Sequence, residues 1–356
     1  MRYVVTIRVK RGNISKGLQV DSLYYNNPPK SDYIDFRSSL IRITCNRSRS
    51  FDKDSLLTNN SNTIFKQILK VMLYYGAVNR NGAFIHSLQI CKGVDNTEIC
   101  KIEYKQSSQP VAWNNVSLTY TFNHKELANQ LFSSGCGEKL ANILSHWLVG
   151  IYSKDRFKRF ESLWRAFEQL CDHHNRTMVT RKEFDNLREM RNFIDNHDVL
   201  FPLTSSLLAP KDYVWLRRFQ WKQLIYNNFP LSATKQGVWD NYRDNFVCLN
   251  TDNRIIKLLN DTLVYRAKIL TEKGVKAAID AHLARCAVQL ETKNLQLAAF
   301  MCCKFAYYIR NKMFHGEVYE KNFRFYSTAD DDWQLDELNT ILETLTFELI
   351  NNFISL

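Results

Sequence analysis

Arg156-Phe157-Lys158-Arg159-Phe160-Glu161-Ser162-Leu163-Trp164-Arg165-Ala166-Phe167-Glu168-Gln169-Leu170 decides how this chain is built. Phe160, Leu163, Trp164, Phe167 and Leu170 recur at the three- and four-residue steps of one helix face, with charged residues between them. So bulky an apolar stripe must be buried against other helices, and Trp164 and Phe167 therefore read as core. Toward the C-terminus the helical period persists through residues 181–195, 212–228, 237–247, 253–272, 275–290, 295–315 and 333–354. It also reaches back through 138–152 and 126–134.

Upstream the period changes. Alternating or β-branched runs at residues 3–9, 40–45, 84–90, 99–104 and 116–122 predict strands, separated by turn-rich stretches such as Asn26-Asn27-Pro28-Pro29 and Asn59-Asn60-Ser61-Asn62. One amphipathic helix, at about residues 63–75, interrupts them. The expected fold class is α+β: an N-terminal β-rich or α+β domain over residues 1–135, then an all-α helical bundle over 136–356, with the change of pattern between about 124 and 155. No fixed-period repeat, heptad array or low-complexity tract is present.

The net charge of the 356 residues is +12, and residues 1–124, with 17 Lys and Arg against 8 Asp and Glu, hold +9 of it. Such a balance favours a polyanionic partner without choosing among RNA, DNA and an acidic protein. The nine cysteines form no Cys-x-x-Cys pair, which fits free thiols in a reducing compartment. The opening residues lack the apolar core of a secretion signal, and no stretch reaches the roughly eighteen apolar residues that span a bilayer. The expectation is a soluble, cytoplasmic protein with no membrane partner.

Near the end stands Tyr308-Ile309-Arg310-Asn311-Lys312-Met313-Phe314-His315-Gly316-Glu317. Leu295, Ala298, Ala299, Cys302, Phe305, Ala306 and Ile309 lead into it at helical spacing, and Gly316 is suited to ending the helix. At about 100° per residue Asn311 and His315 share a face, while Arg310 points roughly 140° from His315. One protomer therefore need not aim both groups at one atom. The bland account of Arg310 and His315 is a cationic helix C-terminus that stabilises the last carbonyls. A similar run, Arg191-Asn192-Phe193-Ile194-Asp195-Asn196-His197, lies in a strongly charged stretch and has one more intervening residue.

Arg310, Asn311 and His315 match the HEPN motif, an Arg, a polar residue, three to five further residues and a His, at its shortest spacing; the chain over residues 150–356 resembles that superfamily. The Leu163-Trp164-Arg165-Ala166-Phe167 segment looks like the opening helix of HEPN domains, so two motifs occur in the right order. The resemblance implies two paired protomers whose motifs line one cleft, and RNA cut without metal or cofactor. In that chemistry the ribose 2′-hydroxyl attacks phosphorus, a base takes its proton, an acid protonates the leaving 5′-oxygen, and a cation stabilises the phosphorane. Carried onto matching positions, His315 is the acid or base, Arg310 the phosphate clamp and Asn311 the orienter. Arg165 and Glu161 are weaker candidates for lining the cleft. Proteins resembling this one often act as toxins or in antiviral defence, held by an inhibitor or awaiting a trigger. The alternative is a non-catalytic HEPN-type dimerisation module that binds RNA or nucleotide. A DNA-binding regulator is disfavoured, because no helix-turn-helix with a clearly basic recognition helix stands out.

Other groupings carry less. His173 and His174, after Cys171 and Asp172, point in different directions on one helix and read as a solvated helix end. Asp330-Asp331-Asp332 reads as a helix start whose acids complement the dipole. In the basic N-terminal part, Arg37, Arg42, Arg47, Arg49 and Lys66, with Tyr24 and Tyr25, are placed to follow an RNA backbone and stack bases, or else form a solvated surface.

Overall fold

The computed structural model describes residues 1–9, 18–26, 28–79, 85–105, 120–133, 136–177, 186–314, 329–353 and 356. The fold is α+β, and the chain divides into two compact units, Met1–Lys154 with Ile350–Leu356, and Asp155–Leu349.

In the first unit β1 (Arg2–Val9), β2 (Leu18–Asn26), β3 (Pro29–Phe36), β4 (Leu40–Asn46), β5 (Ile85–Lys92) and β6 (Thr97–Glu103) form one antiparallel sheet in the order β2-β3-β4-β1-β5-β6. Val5 lies opposite Ile43 and Ile90, and Thr6 opposite Arg42 and Gln89. The two-residue pleat therefore sends Val5, Ile43 and Ile90 into the core and leaves Arg8 and Arg42 on the open face. The helices here are α1 (Lys53–Thr58), α2 (Thr63–Val78), α3 (His124–Ser133) and α4 (Gly137–Tyr152). Asn62 caps α2, its Oδ1 accepting from Ile64 N at 2.9 Å. Tyr74 of α2 and Phe132 of α3 close on Phe36 of β3 at ring distances of 4.9 and 6.0 Å. A Cβ on Gly137 would sit 2.3 Å from the Leu131 carbonyl oxygen, so α4 starts against α3 only with glycine there.

Two expectations change in this unit. Strands β2 and β3 have no apolar alternation; their buried positions include Ser22, Asp32 and Asp35. The run expected as a strand at 116–122 lies outside the described residues up to 119, and residues 120–122 are not a strand. Tyr120 and Phe122 instead pack edge-on against Trp147 of α4, at 5.8 and 5.5 Å.

The second unit is helical: α5 (Arg156–Thr177), α6 (Asn186–Asn196), α7 (Pro202–Leu208), α8 (Tyr213–Arg217), α9 (Trp221–Asn228), α10 (Gln236–Asn241), α11 (Asn253–Leu263), α12 (Ala267–Glu272), α13 (Lys276–Gln289), α14 (Asn294–Phe300), α15 (Tyr307–Phe314) and α16 (Ala329–Asn351). Phe160, Leu163, Trp164, Phe167 and Leu170 of α5 are buried as their spacing requires. Arg156 pairs with Asp332 and Asp336 of α16, both at 2.8 Å, and Arg159 with Glu343. The run 212–228 is two helices, because the chain turns at Phe219 and Gln220, whose amide donates to Gln334 Oε1 at 3.0 Å. His173 and His174 are not a solvated helix end: α5 continues to Thr177, both imidazoles are buried, and His174 packs 4.7 Å from the Phe193 ring.

A π-helical turn, Met301–Ala306, joins α14 to α15 with helical backbone on both sides; another, Tyr242–Val247, follows α10. The wider turn shifts α15 in phase against α14, so Arg310 does not sit where an uninterrupted 3.6-residue period from Leu295 would put it. Among the described residues no helix is long and apolar enough to cross a membrane, and the nine cysteines are all free thiols.

Glu348 of α16 holds the start of α7: its carboxylate accepts from Leu203 N at 2.7 Å, Thr204 N at 3.0 Å and Thr204 Oγ1 at 2.6 Å. Burial raises its pKa above the ordinary 4.5, against the lowering by those hydrogen bonds. The folded state thus binds this proton more tightly than the unfolded chain. The stabilisation from protonation is complete below pH 4.5 and is lost as pH rises through the folded-state pKa. Glu348→Gln keeps one acceptor and should flatten that part of the pH–stability curve. Glu348→Ala leaves α7 amides unsatisfied and should cost about 1–3 kcal/mol at pH 7. Urea melts of both variants from about pH 4 to pH 7 check this.

Candidate nucleic-acid site

The motif helix and the opening helix lie side by side. On α15 the Arg310 Nη1 donates to Asn311 Oδ1 at 3.1 Å, and Nη2 pairs with Glu168 Oε1 of α5 at 3.4 Å. One turn upstream the Tyr307 ring stands 6.1 Å from Trp164. Residues 142 positions apart in sequence are thus brought together. The Arg310 side chain is 29% exposed, enough to be reached from solvent while Asn311 and Glu168 help to orient it. Asn311 spends its carbonyl oxygen on Arg310, and its Nδ2 has no partner among the described residues. His315 lies outside the described residues.

On α5, Arg165 is exposed and pairs with Glu161 one turn back at 2.6 Å. It is three residues from Glu168 and so shares the face that meets Arg310. This edge therefore carries two guanidiniums and two carboxylates, with Asn311 beside them. A phosphodiester entering here would compete with Glu168 and Glu161 for the cations.

The N-terminal arginines separate into two kinds. Arg42, on the open sheet face, and Arg49, after β4, are exposed. Arg47 is not available to RNA: Nη1 and Nη2 each meet an Asp32 oxygen at 2.6 Å, Nε donates to Thr63 Oγ1 at 2.9 Å, and the guanidinium lies 3.7 Å over the Tyr24 ring. Arg37 pairs with Asp35 at 2.8 Å and Lys66 with Glu138 at 2.9 Å. Tyr25 remains largely exposed, with Lys30 5.7 Å from its ring.

The second Arg–His run does not form a comparable edge. Arg191 points inward, 3% exposed, while the exposed His197 stacks on Phe193 at 4.3 Å and its Nδ1 meets the Phe193 carbonyl oxygen at 2.7 Å. What surrounds Arg191, namely Arg188, Asn245 and Lys304, was not picked out in sequence; Lys304 is more than a hundred positions away and only the fold brings it near. The three aspartates before Trp333 fall in the first turn of α16, which starts at Ala329, and Asp332 is bound to Arg156.

Comparisons with protein-family models, curated proteins and solved structures found no match for this chain.

Proposed function

We propose that the chain is a metal-independent endoribonuclease of HEPN type, acting as a homodimer, with Arg310 clamping the scissile phosphate, Asn311 orienting it and His315 transferring protons. The observation that supports this reading most is the Arg310–Glu168 contact, which sets the Arg-Asn pair against the helix carrying Leu163-Trp164-Arg165-Ala166-Phe167. In the reaction the 2′-oxygen bonds to phosphorus and gives its proton to a base. The P–O5′ bond breaks and the leaving oxygen takes a proton from an acid. A 2′,3′-cyclic phosphate and a 5′-hydroxyl result. Arg310 keeps its charge throughout and so suits the developing phosphorane. Pairing of two protomers supplies the second motif that the angle between Arg310 and His315 calls for.

The exposed Arg42 and Arg49 are the N-terminal candidates for RNA contact, alongside Arg165; the first unit is otherwise a place for an inhibitor or trigger to act. A toxin or antiviral-defence role and a cytoplasmic setting go with this reading. The Arg310–Glu168 pair is also what a purely structural cation would make, which keeps a non-catalytic RNA-binding module as the second reading. Expression in a host separates them: growth arrest relieved by His315→Ala supports the nuclease, and arrest that persists in that variant contradicts it.

Removing the competing carboxylate gives a smaller effect. Glu168→Gln should tighten binding of a single-stranded RNA about two- to fivefold at low salt, the worth of one exposed ion pair. Fluorescence anisotropy at about 50 mM and 200 mM salt reads it, with the gain shrinking at the higher salt.

A further inference from the structure

Helices α6, α9 and α10 and the two π-helical turns enclose a cavity of about 650 Å³, in the size range of small-molecule sites. At its floor lies Arg191, whose Nη2 donates to Asn250 Oδ1 at 2.7 Å and Nη1 to the Asn245 carbonyl oxygen at 3.3 Å. Both acceptors are neutral. Burial lowers the Arg191 pKa, yet a guanidinium keeps its proton. Asp195, one turn along α6, acts on it only through space and spends an oxygen on Gln296, so an anion in the cavity would add a direct charged partner.

The walls have the same sign. Arg188 and Lys304 line the cavity with Asn228 and Asn241, and among the described residues no Asp or Glu lines it. Tyr307, 39% exposed, is the one tyrosine among the described lining residues. Both π turns contribute wall, Asn245 and Phe246 from one and Cys303 and Lys304 from the other. Such turns are rare in helices and concentrate at functional sites, where the widened turn redirects side chains. Neither Arg310 nor Asn311 lines this space.

We propose that this cavity binds a phosphate-bearing ligand of nucleotide size, its phosphate held by Arg191, Arg188 and Lys304 and its ring system laid against Tyr307. A free nucleotide and the 5′-terminal nucleotide of an RNA strand share that chemistry. The site is independent of RNA cleavage and stands or falls separately from it.

Calorimetric titration of the full chain with ATP, and separately with a 5′-phosphorylated RNA tetranucleotide, tests the assignment. One equivalent of at least one probe should bind. The double variant Arg188→Ala/Lys304→Ala should bind it at least tenfold more weakly, with thermal melts showing that the fold is kept, and Arg191→Met should weaken it further. Binding of ATP alone identifies a free nucleotide, and binding of the oligonucleotide alone an RNA end. No binding of either probe, or affinity unchanged in the double variant, would overturn the proposal.

Discussion

Arg310→Ala is expected to lower RNA cleavage by about 10²- to 10⁵-fold, the range seen when a fixed donor or arginine is removed from a developing oxyanion or phosphorane. The contact it loses with Glu168 is a long, exposed ion pair worth about 0–1 kcal/mol. Arg310→Lys should recover only part of the rate: an ammonium keeps the charge but cannot present two parallel N–H groups or hold Asn311 in the same geometry. His315→Ala should lose about 10²- to 10⁴-fold and remove a limb of the pH–rate profile near neutrality. Single-turnover rates on a labelled RNA, with thermal melts of each variant, separate chemistry from folding. A rate within threefold of the parent for Arg310→Ala would remove it from the reaction.

The largest effect on stability is expected in the first unit, at Asp32→Ala. Asp32 and Arg47 have side chains 0% and 6% exposed and share two 2.6 Å hydrogen bonds. Removing the carboxylate strands a buried guanidinium, a loss of about 3–5 kcal/mol. The pair itself contributes far less than that, because taking both charges out of water offsets most of their attraction. Asp32→Ala/Arg47→Met should therefore be markedly more stable than Asp32→Ala alone, a non-additivity that a double-mutant cycle in urea reads directly. Equal stability of the single and double variants would mean that Arg47 finds water once Asp32 is gone. Arg47→Ala would in addition lose the contact over Tyr24.

That pair also explains which strands were visible in the sequence. β1, β4, β5 and β6 bury Val5, Ile7, Ile41, Ile43, Leu88, Ile90 and Cys100, so their alternation shows in the residue types. In β2 and β3 the buried set includes Ser22, Asp32 and Asp35, and their partners, Gln67 for Ser22 and Arg47 for Asp32, come from elsewhere in the chain. A period of two written partly in polar residues reads as a loop. Arg47 misled in the same way: an arginine in a Ser- and Arg-rich stretch looks exposed until the carboxylate fifteen positions away is known. In the second unit α5 was legible because five bulky residues repeat one face. The π turns were not, since one widened turn changes the period too briefly to show. Arg310 and Asn311 could be singled out from their neighbours in sequence, but the tie to Glu168 and the cationic cavity around Arg191 join segments far apart in the chain.

The proposed reaction is metal-free cleavage of RNA at Arg310, Asn311 and His315. Purified protein incubated with end-labelled total RNA in excess EDTA, beside Arg310→Ala and His315→Ala, tests it most directly, with the product ends read chemically. Cleavage by the parent chain alone is expected, leaving 2′,3′-cyclic phosphates and 5′-hydroxyls. Cleavage that survives both replacements, or that stops when EDTA is added, would contradict it.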